Sequence, residues 1–535
     1  MLLPIRKERV MKKSNLGLAS LVLTVLGFVF GLSSLTFAVG YDSQYDLFKD
    51  GRIDSQDLGI LAEKWLLNCS SYDCEGADFD NSNKVDLADF ALFANYWLTL
   101  ELSAFDCDLV EDCRIDWKDL ARFAESWLAD CSVSDCGGSD LNKNGKVDFL
   151  DYSLLAQHWS ADPNICLWEF IERQLANTMN ELATNPIYSG GYDWPRATGS
   201  DGKWQPLAKG EWGHWACGFI PGSLWYLYQK TSDETWRNLA EDRTAQLEHN
   251  RYRDYDHESG FVIYRSYGLG YQITGNPDYI PVIMDATTYL LHRYNAAVGC
   301  IKSWNAIENP KFEVIIDGMM MLEMVFWASK NGGDPTWYDK AVSHADKTMQ
   351  NNVRPNGSTW QIVEYNPTTG AVNRKWYKQG INQNTTWSRG QAWGICGFTI
   401  AYRETGESRF LETAKKIADY FIDHSPPDHV PYWDFNAPDY PQVPQVRDSS
   451  AAAIAASGLL ELSTLVSSQQ DKEKYYNAAC NILDSLSSPA YLAHGTNNMA
   501  ILLHGCAGGG AESSLMYGDH FFIEALLRRE SIPPP

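Results

Sequence analysis

From about residue 167 to the end of the chain, apolar side chains recur every three or four positions in stretches long enough for helices. Examples are "PGSLWYLYQKT", "TWRNLAEDRTAQLEHN", "YIPVIMDATTYLLHRY", "TWYDKAVSHADKTMQNNV", "RFLETAKKIADYFIDH" and "SSAAAIAASGLLELSTLV". Clusters of Gly, Pro and Asn separate them. Strand signals are sparse. About 360 residues of paired helices predict an all-α toroid with its pocket where hairpin loops and inner helices converge. One stretch breaks the pattern: "EVIIDGMMMLEMVFWA", residues 313–328, is almost wholly apolar yet holds Asp317 and Glu323. A carboxylate in such company needs a partner, a proton or a chemical task. Asp317, followed by Gly318, is open to a simpler reading as the N-cap of the Met-rich helix.

The pattern before residue 163 is different. A loop followed by one amphipathic helix ending in Trp occurs four times: "DLFKDGRIDSQDLGILAEKWL", "DFDNSNKVDLADFALFANYWL", "DLVEDCRIDWKDLARFAESWL" and "DLNKNGKVDFLDYSLLAQHWS". Calcium takes six to eight oxygen ligands, which such loops supply at positions 1, 3, 5, 7, 9 and 12. The second copy offers Asp78, Asp80, Ser82, Asp86 and Asp89, and the fourth Asp140, Asn142, Asn144, Asp148 and Asp151, with Gly145 at the sharp turn. Phe48 and Val110 occupy position 3 of the first and third copies, which are expected to bind calcium weakly or not at all. The motif resembles tandem dockerin modules, which implies a cohesin-like protein partner; a calcium-stapled spacer is the alternative. Cys69 with Cys74 and Cys131 with Cys136 sit at equivalent places and suit local disulfides, and Cys107 with Cys113 could form a third.

Charge and termini refine this picture. Of the net charge of −24, about 17 negative charges fall between residues 39 and 165, so the acidity belongs to the repeats. The absence of any basic stripe excludes a nucleic-acid partner from the expected functions. Basic residues from Arg6 to Lys13, an apolar run from Leu16 to Phe30, and Ala38 at a plausible cleavage point read as a secretory signal, with an uncleaved anchor as the alternative. The expected organisation is therefore a signal at 1–38, calcium-binding repeats at 39–162 and a helical domain at 163–530, with the protein secreted, periplasmic or at the cell surface.

Polar groups interrupt aromatic-rich turns at "EWGHWACGFIPG", "DYDHESGFVIY", "IKSWN" and "YKQGINQNTTWSRGQAW". With "IIDGMMMLEMVFWA", "VRPNGSTW", "YWDFNAP", "RDSSAAAIAASGLLEL" and "MYGDHFFIEALLR", these run in an order that resembles glycoside hydrolase family 88, the unsaturated glucuronyl hydrolases. The resemblance implies an (α/α)6 barrel over residues 167–529 and no cofactor for catalysis. Asp317 is implied as the general acid and base and Glu258 as its partner. Trp215, Trp304 and Trp393 are implied as ring-stacking aromatics, and His257, Gln379 and Arg389 as further substrate contacts. The substrate implied is an unsaturated uronyl oligosaccharide left by a polysaccharide lyase, cleaved through hydration of its C4=C5 bond.

Such chemistry needs a carboxyl that stays protonated near neutral pH, which apolar surroundings and a second acid would provide. The chain departs from the family pattern at Glu258, where Asp is usual, at Gln361 and Lys378, where His is common, and at Asn356, where Asp is common. Lys378 points toward a more anionic sugar beside the uronate. Two other functions stay open on sequence alone: an unsaturated rhamnogalacturonyl hydrolase and a non-catalytic sugar-binding subunit.

Overall fold

The computed structural model describes residues 163–184, 194–205, 215–304, 307 and 309–535, and parts of the N-terminal region: 47, 64, 69, 74, 76–79, 82–85, 109, 117–129, 131, 136–141, 143, 145–147, 151–152 and 154–155. The expected signal at 1–38 lies outside these residues. Two compact units are present, one of residues 1–102, 128–134 and 142–156, the other of 103–127, 135–141 and 157–535. No helix among the described residues is long and apolar enough to cross a membrane.

In the smaller unit, two loops are built alike. Cys69 N–H donates to the Asn83 carbonyl and Cys131 N–H to the Gly145 carbonyl, each at 2.8 Å. Both acceptors have positive φ, 68° at Asn83 and 88° at Gly145, at the same position of the second and fourth repeats. Cys69 pairs with Cys74, and Cys131 and Cys136 are also disulfide-bonded; Cys107 and Cys113 lie outside the described residues.

In the larger unit, α1 (Trp117–Glu125) and α2 (Pro163–Thr184) precede a succession of helical hairpins. These contain α3 (Phe219–Thr231), α4 (Glu234–Ala245), a π-helical run Gly260–Gly268 continuing into α5 (Leu269–Thr274), and α6 (Ile280–Leu291). A 3-10 turn Ile316–Met321 leads into α7 (Leu322–Lys330), followed by α8 (Thr336–Asn352), α9 (Ser388–Thr405), α10 (Ser408–His424), α11 (Ser449–Leu465), α12 (Gln469–Leu486) and α13 (Met516–Ser531). Every other segment is inner: α3 packs on 260–274, which packs on 316–330, then α9, α11 and α13, and α13 returns to α3. Six inner segments, with α4, α6, α8, α10, α12 and α2 outside, make the (α/α)6 barrel that the family resemblance implies.

Inner segments are buried nearly all round, which selects small and apolar residues. In α11 every residue from Ser449 to Leu460 is buried. Asp448 opens this helix by accepting from Ala451 N–H, and α9 stops at Gly406, which adopts φ 71° and donates to the Tyr402 carbonyl at 2.8 Å. Close packing also fixes the turn carrying Asp317. A Cβ at Gly397 of α9 would lie 2.3 Å from Cβ of Met319. The sparse strand signals conceal one three-stranded antiparallel sheet, β3–β4–β5. Its strands are Phe312–Ile315, Ile362–Tyr365 and Val372–Trp376; two short hairpins, β1–β2 (Tyr294–Asn295, Cys300–Ile301) and β6–β7 (Gly505–Gly508, Ala511–Ser513), accompany it.

Gly397→Ala is expected to push the 316–321 turn away from α9 and to destabilise the protein by about 1–3 kcal/mol. Urea unfolding with an unchanged midpoint would show that the contact is not tight.

Candidate active site

Asp317 lies where β3 ends and the inner segment begins. Ile315 N–H donates to Ser303 Oγ and Ile316 N–H to the Gln361 carbonyl, each at 3.0 Å, so the two residues before it are held from both sides. The N-cap is Ile315, and no side chain caps the turn, so the capping reading of Asp317 does not hold. Its Oδ1 is buried and has no hydrogen-bond partner. Burial, and then the charge of Glu258, push the Asp317 carboxyl up to about 7, while His257 and Arg389 act in the opposite direction.

Around it, Glu258 is partly buried, with Oε1 3.6 Å from Nε2 of His257, and His257 is 1% exposed. The main chain holds both: His257 N–H donates to the Ser303 carbonyl at 3.0 Å and Glu258 N–H to Asp256 Oδ1 at 2.9 Å. Arg293 closes the loop by donating to the Lys302 carbonyl at 2.8 Å and the Trp304 carbonyl at 3.1 Å. Behind Asp317, Nδ1 of buried His344 accepts from Ile301 N–H at 3.0 Å, and burial drives the His344 pKa down to about 3. His344 is therefore neutral, with its proton on Nε2. Gly318 makes room for it, since a Cβ there would meet His344 Nε2 at 3.1 Å and His257 Nδ1 at 3.5 Å. Nothing in the sequence around His344 signals this role.

The remaining candidates divide. Trp304 is half-buried, its ring 6.5 Å from that of His257, and Lys378 Nζ lies 4.8 Å from its centroid. Gln361 fixes this wall: its Oε1 accepts the N–H groups of Lys378 at 2.7 Å and Gln379 at 2.9 Å, and its Nε2 donates to Gln379 Oε1 at 2.7 Å. Gln379 Nε2 then donates to the Ala507 carbonyl at 3.3 Å. Trp215 is half-buried against Tyr517, with ring centroids 4.7 Å apart.

Two residues implied as substrate contacts occupy the interior. Trp393 is 1% exposed, packed between Phe261 at 5.0 Å and Phe521 at 5.3 Å, so its ring supports the wall and offers no face for stacking. Arg389, also 1% exposed, donates through Nη1 to Asp448 at 2.7 Å and the Cys506 carbonyl at 2.5 Å, and through Nη2 to the Ala507 carbonyl at 3.2 Å. It acts on Asp317 as a nearby charge while locking α9, α11 and the β6–β7 hairpin together. The Asp448 ion pair has no local signal in the sequence, because its partner lies 59 residues away.

Glu323 has the partner that Asp317 lacks. It pairs with Arg403 at 2.8 Å and Arg265 at 3.6 Å, in a network with Glu461, Glu524 and Arg528. A cavity of about 980 Å³ lies here, lined by Glu323, Arg403, Arg265, Glu524 and Arg528, and not at Asp317. Its charges are mutually paired, so it reads as the framework of the barrel.

Among the calcium candidates, Asp78, Ser82, Asp140 and Asp151 are described; Asp80, Asp86, Asp89, Asn142, Asn144 and Asp148 lie outside the described residues. The Asp78 carboxylate accepts the N–H groups of Ser82 and Asn83, each at 2.9 Å, and the positive φ of Asn83 and Gly145 falls where a calcium loop needs its sharp turn. Among the described residues no group of three or more His, Cys, Asp or Glu side chains is placed to hold a metal.

Residues 196–461 match the family Glycosyl Hydrolase Family 88. The chain is 37% identical to an unsaturated glucuronyl hydrolase of Formosa agariphila over 59% of its own length and 80% of the relative's. It is 30% identical to an unsaturated chondroitin disaccharide hydrolase of Streptococcus pneumoniae, over 59% of its length and 81% of that protein's. A crystal structure of an unsaturated glucuronyl hydrolase specific for heparin superposes with a TM-score of 0.62 at 34% identity, covering 69% of this chain and 98% of that one.

The raised pKa of Asp317 has a sign that can be checked. Between the unfolded value of about 3.9 and the folded value the native state binds the extra proton, so its stabilising effect is present below the lower value and is lost as pH rises toward about 7. Asp317→Asn carries no such proton. The thermal midpoint of the variant relative to wild type is therefore expected to climb between pH 5 and pH 8, and a constant difference would mean that Asp317 titrates normally.

Proposed function

The chain belongs to glycosyl hydrolase family 88, and from that premise we propose that it is an unsaturated glucuronyl hydrolase, releasing the 4,5-unsaturated uronate from the non-reducing end of lyase-generated oligosaccharides. One observation carries the assignment of chemistry: a buried carboxyl with an unpartnered oxygen and a pKa raised to about 7 stands beside a second acid.

The substrate's C4=C5 bond is an enol ether through the ring oxygen. Asp317 gives its proton to C4, and the positive charge that develops at C5 is shared with the ring oxygen. The resulting Asp317 carboxylate takes a proton from a water molecule as that water adds to C5, which restores the acid. The hemiketal opens, and the hemiacetal left at C1 releases the remaining glycan. Bond cleavage thus follows from hydration, and no displacement occurs at the anomeric carbon. Glu258 helps keep the proton on Asp317 in the resting site, His257 stands beside Glu258 within reach of substrate, and Trp304 and Trp215 supply the half-buried rings on which sugar can stack. Gln379 lines the wall that Gln361 fixes.

The N-terminal repeats suit a tether. We read its second and fourth loops as dockerin-like calcium sites held by Asp78, Asp80, Ser82, Asp86 and Asp89 and by Asp140, Asn142, Asn144, Asp148 and Asp151. Calcium there would organise the loops for a cohesin-like partner, on a protein exported through residues 1–38. The two positive-φ turns support this reading. Calorimetric titration of the full chain with calcium is expected to show binding that weakens by at least about tenfold in Asp78→Ala, since a charged ligand is lost; equal affinity would remove Asp78 from the site.

The test of the reaction is loss of the ultraviolet absorbance of the conjugated C4=C5 uronate. Wild type is expected to consume it, with kcat/KM falling about tenfold per pH unit above about 7 as the acid ionises. Asp317→Asn is expected to lose at least about a thousandfold while remaining folded. Retained turnover would sink Asp317 as the acid.

A further inference from the structure

We propose that Lys378 is a specificity-determining residue that reads a negative charge, sulfate or carboxylate, on the sugar following the unsaturated uronate. The proposal rests on the function above and goes beyond it in naming what selects the substrate. Three observations support it.

First, Lys378 is an exposed cation without a carboxylate partner among the described residues, on a chain of net charge −24. Other cations of this region are committed elsewhere. Arg374 pairs with Glu364 at 2.8 Å, Arg354 donates to the carbonyls of Thr359, Gln383 and Thr385, and Arg389 is buried against Asp448. Lys375 lies half-buried over the Trp360 ring at 3.9 Å, where burial lowers its pKa.

Second, the position of Lys378 is fixed through its main chain, while its side chain is exposed. Its N–H is held by Gln361 Oε1 at 2.7 Å, and Gln361 is itself buried. Third, the ammonium rests over Trp304, 4.8 Å from the ring centroid, and Trp304 adjoins His257. A sugar stacking on that indole competes with the resting cation. With a neutral second sugar the displaced ammonium gains nothing beyond hydration; with an anionic one it gains a charge-assisted contact. The uronate must lie with C4 against Asp317, so an exposed cation at the rim meets the sugar that follows.

The experiment compares three lyase-generated disaccharides, all beginning with the unsaturated uronate: one with a neutral second sugar, one with a sulfated second sugar and one whose second sugar is a uronate. In Lys378→Ala the preference in kcat/KM for a charged over the neutral substrate is expected to fall about fivefold, through opposite shifts in KM. Lys378→Arg is expected to retain the preference, and Lys375→Ala to leave it unchanged. A fall confined to the sulfated or to the uronate substrate supports the proposal and identifies the anion. Equal changes on all three substrates, or an equal fall in Lys375→Ala, would overturn it. If wild type consumes none of the three, the hydrolase reading fails, a result distinct from activity without selectivity.

Discussion

An inner ring of helices buried on every side has almost nowhere to put a charge, and this constraint organises the whole catalytic domain. Apolar and small residues fill most of the six inner segments, and the charged groups they carry gather in two clusters. Toward the N-terminal ends lie Trp215, His257, Glu258, Asp317, Arg389 and Tyr517, with Asp448 capping α11. Further along the same segments lie Tyr226, Arg265, Glu323, Arg403, Glu461, Glu524 and Arg528. The second group is knitted together. Burial opposes the ionisation of Glu524, and Arg528 with Arg265 overcome it, so the carboxyl stays below its usual range.

Asp317 and Glu323 therefore form a controlled comparison within one segment. Six residues apart, they share sequence surroundings and differ in partners. Glu323 meets two guanidinium groups and serves the framework, whereas an oxygen of Asp317 meets none. Arg389 is close enough to favour ionisation of Asp317, but its own donors are spent on Asp448 and two carbonyls. The site thus leaves a carboxyl protonated by burying it beside a second acid and giving it no ion-pair partner.

Much of this was legible in the sequence. Helices at 219–231, 336–352, 408–424 and 449–465 follow the apolar spacing closely, because each buries one stripe or all of its surface. Asp317 stood out because a lone acid in an apolar run is costly. Two features were not legible. "FEVII" and "QIVEY" are too short and too apolar to separate from helix by period, so the three-stranded sheet went unpredicted. Trp393 and Arg389 are implied as substrate contacts, but sequence carries no measure of depth, and both are buried. His344 and Gln361 act through long-range contacts that no local motif records.

The hydrogen-bonded chain from Gln361 through Gln379 and Ala507 to Arg389 and Asp448 joins pieces of the polypeptide that are made far apart in time. Synthesis from the N-terminus produces Asp317 early and the β6–β7 hairpin and α13 last. Until α13 closes onto α3, the barrel is an open arc with water reaching its inner face. An Asp317 bathed in that water is an ordinary carboxylate. Ring closure thus makes Asp317 a weaker acid that keeps its proton near neutral pH, so an unfinished chain is chemically silent toward the glycans it is built to cut.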